Sequence, residues 1–341
     1  MTVVGLDPDA IARWLTTLGI GFEEPLQFQR IGLGQSNLTY RVSDAAGRAW
    51  VLRRPPLGHL LASAHDVLRE ARIVAALAET PVPVPQILAT TTDSEFCDAP
   101  LVLMSFVDGL VVDTMRVAGA LTPRQRHQIA VDLPRTLAKI HAVNLDEVGL
   151  ADLASHKPYA QRQLKRWAGQ WELSKTRELP ALDDLTRRLA AAAPEQREIS
   201  LVHGDFHLRN LITSPDTGEI VATLDWELST LGDPLADMGS LLTYWVEPDE
   251  ALNGDYAPST LAGFPNRAEM TRLYLDETGR DAAALQYWHA LGLWKLAIIG
   301  EGVMRRARDE PQNKASAGTP VVAWIDARVQ KAREIADAAG I

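Results

Sequence analysis

Residues 201–210, LVHGDFHLRN, set His203, Asp205, His207 and Asn210 within eight positions, and Asp225 follows twenty residues after Asp205 at the end of the apolar run VATLD. Phosphoryl transfer needs a carboxylate that receives or orients the proton of an attacking hydroxyl. It also needs hard oxygen ligands for Mg²⁺, for which an amide and a second carboxylate serve. Asp205, Asn210 and Asp225 supply those groups. A lone Asp or Asn in a turn usually caps a helix, so the spacing of the three together carries the reading.

His203, Asp205 and Asn210 keep the spacing of the kinase loop H-R-D-x-x-x-x-N, with Gly204 in place of the Arg. Such a loop needs a partner element that approaches phosphate oxygens. IGLGQSNLTY at 31–40 has the glycines for it, because Gly32 and Gly34 let main-chain N–H groups come close without a Cβ. The loop runs into the alternating strand LTYRV rather than into a helix, which excludes a dinucleotide-binding fingerprint.

These residues need elements to hold them. Asp7-Pro8 predicts a helix start, with Ile11, Trp14, Leu15 and Leu18 at helical spacing and Gly19 as its stop. LQFQRI, LTYRVSD and AWVLRRP read as three antiparallel strands, residues 64–78 as a helix ended by PVPVP, and PQILATT with PLVLMSF as a second hairpin. From residue 121 helical periodicity dominates, with two short strand-like interruptions near 200–226. The expectation is an α+β chain with one lobe over 1–107, built on five antiparallel strands, and a larger, mainly helical lobe over 108–341.

Composition limits the function classes. At 341 residues and 46% apolar, the chain can bury substantial cores, and a net charge of −10 without a long basic run argues against nucleic acid and anionic membranes. No apolar stretch approaches the roughly 18 residues of a membrane span, and MTVVGLDPDA lacks a signal-peptide pattern, so a cytoplasmic setting is expected. A single Cys97, in the polar turn TTDSEFCDAP, allows no internal disulfide and reads as an inert loop thiol. G-x-S-x-G, H-E-x-x-H and Walker patterns do not occur.

HGDFHLRN, LDWE and LGDPLAD together resemble the aminoglycoside phosphotransferase-like, choline-kinase-like branch of the protein-kinase-like fold. LDWELSTLGDPLADM resembles in particular the kinase-like domain related to that fused to certain acyl-CoA dehydrogenases, and the likeness runs from the glycine loop through FPNRAEM and KLAIIGEG. The resemblance implies a two-lobe, protein-kinase-like fold that binds ATP and Mg²⁺ in the cleft. It implies Asp205 as the catalytic base, Asn210 and Asp225 as metal ligands, and His203 as scaffold. Gly32, Gly34, Gln35, Ser36 and Asn37 would form the phosphate-covering loop. Glu70 would pair with the phosphate-binding side chain of the third strand, and Ser105, Phe106 and Val107 would be the hinge that reads adenine. That third-strand position, lysine in the V-A-I-K pattern, is Arg53 here; it can still bridge Glu70 and a phosphate, or it marks a weakened nucleotide site.

His207 sits where it can touch substrate or phosphate or make a structural hydrogen bond. Glu227 is expected to orient its loop, and Asp233 and Asp237 to cap a helix or anchor the catalytic loop; core packing accounts for most of the tryptophans, while Trp245-Val246-Glu247 follows the Asp-rich segment closely enough to approach the acceptor site and Glu301 lies on the KLAIIGEG helix. The reading is an ATP-dependent O-phosphotransferase for a small hydroxyl-bearing molecule, with a second copy of the chain as the only macromolecular partner that suggests itself. Two alternatives stand beside it: a kinase for hydroxyacyl-CoA or hydroxy acids, and a catalytically weak nucleotide-binding or regulatory module. Glu247, Asp249, Glu250 and Asp255 form an acidic run, but Pro248, Asn253 and Gly254 mark it as a loop, so aminoglycoside polycations are expected to be poor substrates.

Overall fold

Asp7 accepts the Asp9 N–H at 3.0 Å and Pro8 occupies the first helical turn, where a missing N–H costs nothing. In the computed structural model, which describes residues 3–32, 37–57, 66–250, 256–309 and 319–341, this start opens helix α1, Pro8–Thr17. Leu18 caps its end and is exposed, so the apolar stripe stops at Leu15. Strands β1 (Gln27–Ile31), β2 (Leu38–Ser43) and β3 (Ala49–Arg54), helix α2 (Val67–Leu77) and strands β4 (Ile87–Thr91) and β5 (Leu101–Ser105) follow. The five strands form one antiparallel sheet in the order β1-β2-β3-β5-β4.

Strand periodicity decides what each face of that sheet does. Leu38, Tyr40, Val42, Trp50 and Leu52 point to one side, where they pack with Ile11, Trp14 and Leu15 of α1. Burying a side chain of this size contributes about 1.5–3 kcal/mol. Val102 turns to the other side, against Val67 and Ala71 of α2. The same alternation sends two adjacent arginines apart. Arg54 goes to Asp98, at 2.7 Å, and Arg53 to Glu70 of α2, at 2.8 Å. Cys97 is buried in the α1-side core rather than lying loose in a turn.

The remaining elements are α3 (Met115–Ala120), α4 (Pro123–His141), α5 (Tyr159–Ser174), α6 (Pro180–Ala191), strands β6 (Ser200–Val202), β7 (Leu211–Thr213), β8 (Ile220–Thr223) and β9 (Thr230–Gly232), then α7 (Pro234–Tyr244), α8 (Arg267–Thr278), α9 (Leu285–Asp309) and α10 (Val322–Ala338). Four short strands stand where two were expected. Each has three or four residues, too few for a period to show, and β6 finds its antiparallel partner in β9 across the intervening segment 203–229. Residues up to Leu110 with Leu211–Ser214 and Val221–Leu228 form one compact unit, and Val111–Asn210, Pro215–Ile220 and Ser229–Ile341 form a second. In the second unit α7 lies so close to α9 that a Cβ on Gly239 would come within 2.5 Å of the Trp288 main chain.

Candidate active site

In the second unit the loop at 203–210 hangs from one buried carboxylate. Asp237, on the first turn of α7 and 1% exposed, accepts the main-chain N–H groups of His203 at 2.6 Å and Gly204 at 2.8 Å. Gly204 turns the chain there with φ +84°, a conformation that a larger residue such as the kinase arginine would adopt only with strain. His203, fully buried, accepts the Asp205 N–H at 3.3 Å, which is the scaffold role expected of it.

Asp205 is then surrounded by donors. Asn210 donates its amide to the Asp205 carbonyl at 2.9 Å and to Oδ2 at 3.1 Å, and the Tyr244 hydroxyl donates to Oδ1 at 3.2 Å. His207 Nε2 lies 3.3 Å from Oδ2. Burial pushes the Asp205 carboxyl up, but His207, Lys295 and His203 more than offset it and hold the group well below the usual carboxylate range. Lys295 donates to the Gly204 carbonyl at 3.2 Å and lies over the Trp167 ring; burial lowers its own pKa against the pull of Asp205 and Asp237.

The first unit brings together the residues expected to hold nucleotide. A cavity of about 130 Å³ is lined by Arg53, Glu70, Ser105, Phe106, Val107 and Asp225, with Val51, Ala71 and Met104 among its apolar walls. Arg53 bridges two carboxylates, Glu70 Oε2 at 2.8 Å through Nε and Asp225 Oδ1 at 2.8 Å through Nη2. Burial raises the Glu70 pKa to about 7, with Arg53 pulling it back and Asp225 and Glu227 adding to the rise. Burial works against the Arg53 charge too, but Glu70, Asp225 and Glu227 hold that charge firmly in place. Asp225 takes φ +64°, the one non-glycine residue in the left-handed region among the described residues.

Asn37 is buried and donates to Glu227 at 3.3 Å, so the end of the glycine loop is tied to the segment after Asp225. Gly32 follows β1 with φ +82°; Gly34, Gln35 and Ser36 lie outside the described residues. The Ser105 N–H donates to the Gln86 carbonyl at 2.8 Å and its hydroxyl accepts the Gln86 N–H at 2.9 Å, so Ser105 is fixed by Gln86.

The family model of the phosphotransferase enzyme family matches residues 27–273, which takes in both constellations. The chain belongs to the phosphotransferase enzyme family. Mouse (Mus musculus) acyl-CoA dehydrogenase family member 10 is 34% identical to it over 321 residues, 92% of this chain and 30% of that protein. The chain spans between 30% and 40% of the length of the curated relatives it matches. A candidate aminoglycoside phosphotransferase from Ralstonia eutropha is 30% identical and superposes with a TM-score of 0.76 over 98% of this chain and 97% of that one. Aminoglycoside phosphotransferase APH(4)-Ia, solved with AMP-PNP and hygromycin B, shares the fold at 16% identity, with a TM-score of 0.61 over 95% and 97%. The antiparallel sheet followed by a helical part is thus the protein-kinase-like α+β fold of this phosphotransferase family.

Two side chains of this family member escape sequence reading. Tyr244 has no spacing signal, since it reaches Asp205 only because α7 folds back over the loop. Lys295 leaves a trace, as the one charged residue in the apolar run LGLWKLAIIG. Other expectations are corrected. Trp245 takes the core reading: it is 2% exposed and its indole N–H donates to the Pro265 carbonyl at 2.8 Å. Glu247 accepts the Arg267 N–H, Glu250 is held by Arg267 and Lys331, and Glu301, fully buried, accepts from the N–H and hydroxyl of Thr176. Asp255 lies outside the described residues.

Proposed function

We propose that the chain is an ATP-dependent O-phosphotransferase that moves the γ-phosphate of ATP to a hydroxyl of a small molecule in the cytoplasm, with residues 1–107 binding the nucleotide and 108–341 carrying the base and the acceptor. The observation that carries the reading is Asp205, an ionised carboxylate fixed by the Asn210 amide and the Tyr244 hydroxyl beside His207. A carboxylate held so far below the usual range is a weak base. That suits a loose phosphoryl-transfer transition state, where Asp205 need only orient the hydroxyl and accept its proton as the O–P bond forms and ADP departs.

Asn210 commits its amide nitrogen to Asp205, so its oxygen is the group with ligand chemistry, and Asp225 contributes a carboxylate. These are the hard donors that Mg²⁺ takes, and nucleotide oxygens and water would complete its coordination. When bound, Mg²⁺ would neutralise phosphate charge. Gly32 to Asn37 would cover the phosphates, and Arg53, oriented by Glu70, would bind a phosphate oxygen. Phe106 and Val107, with Ser105 as their fixed support, would read the adenine ring. His207 would steer the acceptor hydroxyl toward Asp205. Because Arg53 keeps contact with both Glu70 and Asp225, it favours an active enzyme over the nucleotide-binding module.

The surroundings of Asp205 also bear on the acceptor. Lys295 is at its loop, and Arg209 lies over Tyr256, 3.8 Å from the ring centroid, while the nearby acids Glu247 and Glu250 are spent on Arg267 and Lys331. This setting suits an acceptor with an anionic or acyl part, such as a hydroxy acid or hydroxyacyl thioester, and is poorly suited to a polycation. The test is ADP release from ATP and Mg²⁺ over a panel of hydroxy acids, hydroxyacyl thioesters, amino alcohols and aminoglycosides, with Asp205→Asn as control. Turnover with an acyl-type acceptor, lost in the control, supports the proposal. Turnover only with kanamycin-like compounds, lost when Glu247 and Asp249 are neutralised together, overturns the acceptor assignment, and ATP binding without turnover on any acceptor overturns the enzyme.

A further inference from the structure

The second unit holds a larger cavity, about 450 Å³, whose lining shares no residue with the catalytic loop at 203–210. That volume is in the range that takes small organic molecules. Its charged lining consists of Glu195, Glu198, Asp233 and Asp281 against Arg197 and Arg280, so acids outnumber bases. Arg280 grips Glu198 with two nitrogens, while Arg197 and Asp281, both exposed, lie 3.8 Å apart at the rim and balance each other in charge. The surplus therefore falls on Glu195 and Asp233. Asp233 is 8% exposed and uses Oδ1 to cap α7 through the Leu235 N–H, at 2.9 Å. Tyr287 also lines the cavity, and its buried hydroxyl has no hydrogen-bond partner among the described residues. Leu235, Ala283 and Ala284 supply an apolar wall. Surplus carboxylate beside a hydrocarbon surface selects a cation with a short apolar body.

A chain of hydrogen bonds runs from this cavity to the loop that carries Asp205, all within the second unit. Arg280 Nη1 donates to the Tyr274 hydroxyl at 3.5 Å, which meets His141 Nδ1 at 2.7 Å; His141 Nε2 lies 3.3 Å from Asp237 Oδ2. Asp237 in turn holds the N–H groups of His203 and Gly204. An ionised Asp237 can only accept, so the imidazole places its proton on Nε2 and takes the Tyr274 proton at Nδ1; the donors point the same way from Arg280 as far as Asp237, where the N–H groups of His203 and Gly204 donate from the other side. Asp233 and Asp237 also share the first turn of α7.

We propose that this cavity is a binding site for a small organic cation, an amine or guanidine, and that its occupancy is passed to the catalytic loop through Arg280, Tyr274, His141 and Asp237. A cation held by Glu195 and Asp233 sits beside the Arg280–Glu198 pair, competes with Arg280 for Glu198 and loosens or redirects the first donor of the chain.

The test uses the full chain with butylamine, putrescine and agmatine as probes and butanol and butyrate as neutral and anionic controls. Binding is followed by calorimetry, and the amides of 203–210 by hydrogen exchange, so neither readout depends on phosphate transfer. The amines should saturate at least about tenfold more tightly than the controls and change exchange at 203–210. Glu195→Gln combined with Asp233→Asn, which removes charge while keeping an N-cap residue, should weaken the amines by about tenfold or more. Tyr274→Phe should bind them as the unaltered chain does but no longer change exchange at the loop. Absent or unselective binding, or unchanged affinity in the double variant, overturns the site. An exchange response that is missing in the unaltered chain, or that survives in Tyr274→Phe, overturns the coupling.

Discussion

The amide of Asn210 donates to both the carbonyl and the carboxylate of Asp205, at 2.9 and 3.1 Å, so a residue proposed as a metal ligand is also part of what aims the proposed base. Substitution at either position therefore disturbs both, and the two should not be additive.

Asp205→Asn should leave the fold and ATP binding intact and lower phosphate transfer on the order of a hundredfold or more. The comparison is initial-rate ADP release beside nucleotide titration of the same variant, and undiminished turnover would remove Asp205 from the base role.

Asp225→Ala should cost Mg²⁺ a carboxylate ligand and release one of the two partners of Arg53. ATP affinity measured with and without Mg²⁺ should then become nearly independent of the ion. If Mg²⁺ strengthens binding as much as before, Asp225 is not a ligand.

Arg53→Met breaks a pair whose partner, Glu70, is 8% exposed, and leaves that carboxylate buried without its cation. Glu70 then takes up a proton instead of staying charged, so a loss of about 1–3 kcal/mol in unfolding free energy is expected, together with weaker ATP binding. Arg53→Lys should recover much of the stability but less of the bridge, because an ammonium is a point donor and cannot span Glu70 and Asp225 as a guanidinium does. Equal ATP affinity in all three forms would favour the weak-module reading.

His289 and Glu250 should each leave a mark on the acid side of the stability profile. Burial, with help from Arg267 and Lys331, lowers the His289 pKa to about 3, so the unfolded chain gains a proton below about pH 6.5 that the folded chain refuses, and stability falls from there downward. Glu250 enters later. Burial resists its charge, but Arg267 and Lys331 bring its pKa to about 2, so its contribution is present above about pH 4.5 and is lost toward pH 2. His289→Gln should flatten denaturation free energies between pH 6.5 and 4.5 by up to about 1.4 kcal/mol per pH unit and leave the lower window alone. An unchanged slope in the upper window would contradict the neutral, buried His289.

Much of this protein could be read locally. The Asp7-Pro8 helix start, the alternation of β2 and β3 and the spacing of His203, Asp205, Asn210 and Asp225 are properties of short segments, set by backbone geometry and by the distance along the chain between groups that act together. Those segments point to an α+β phosphotransferase before any contact is known. Strand order is another matter, because β5 enters between β3 and β4 and the decision rests on pairing energies across the sheet. Tertiary structure alone brought Tyr244 to Asp205 from 39 residues away and Lys295 to the Gly204 carbonyl from 91. It also spent the acidic residues near Trp245 on Arg267 and Lys331, and turned Trp245 itself into core. A side chain's type states what it can bond; which partner it meets depends on helix packing, which no local pattern in the chain records.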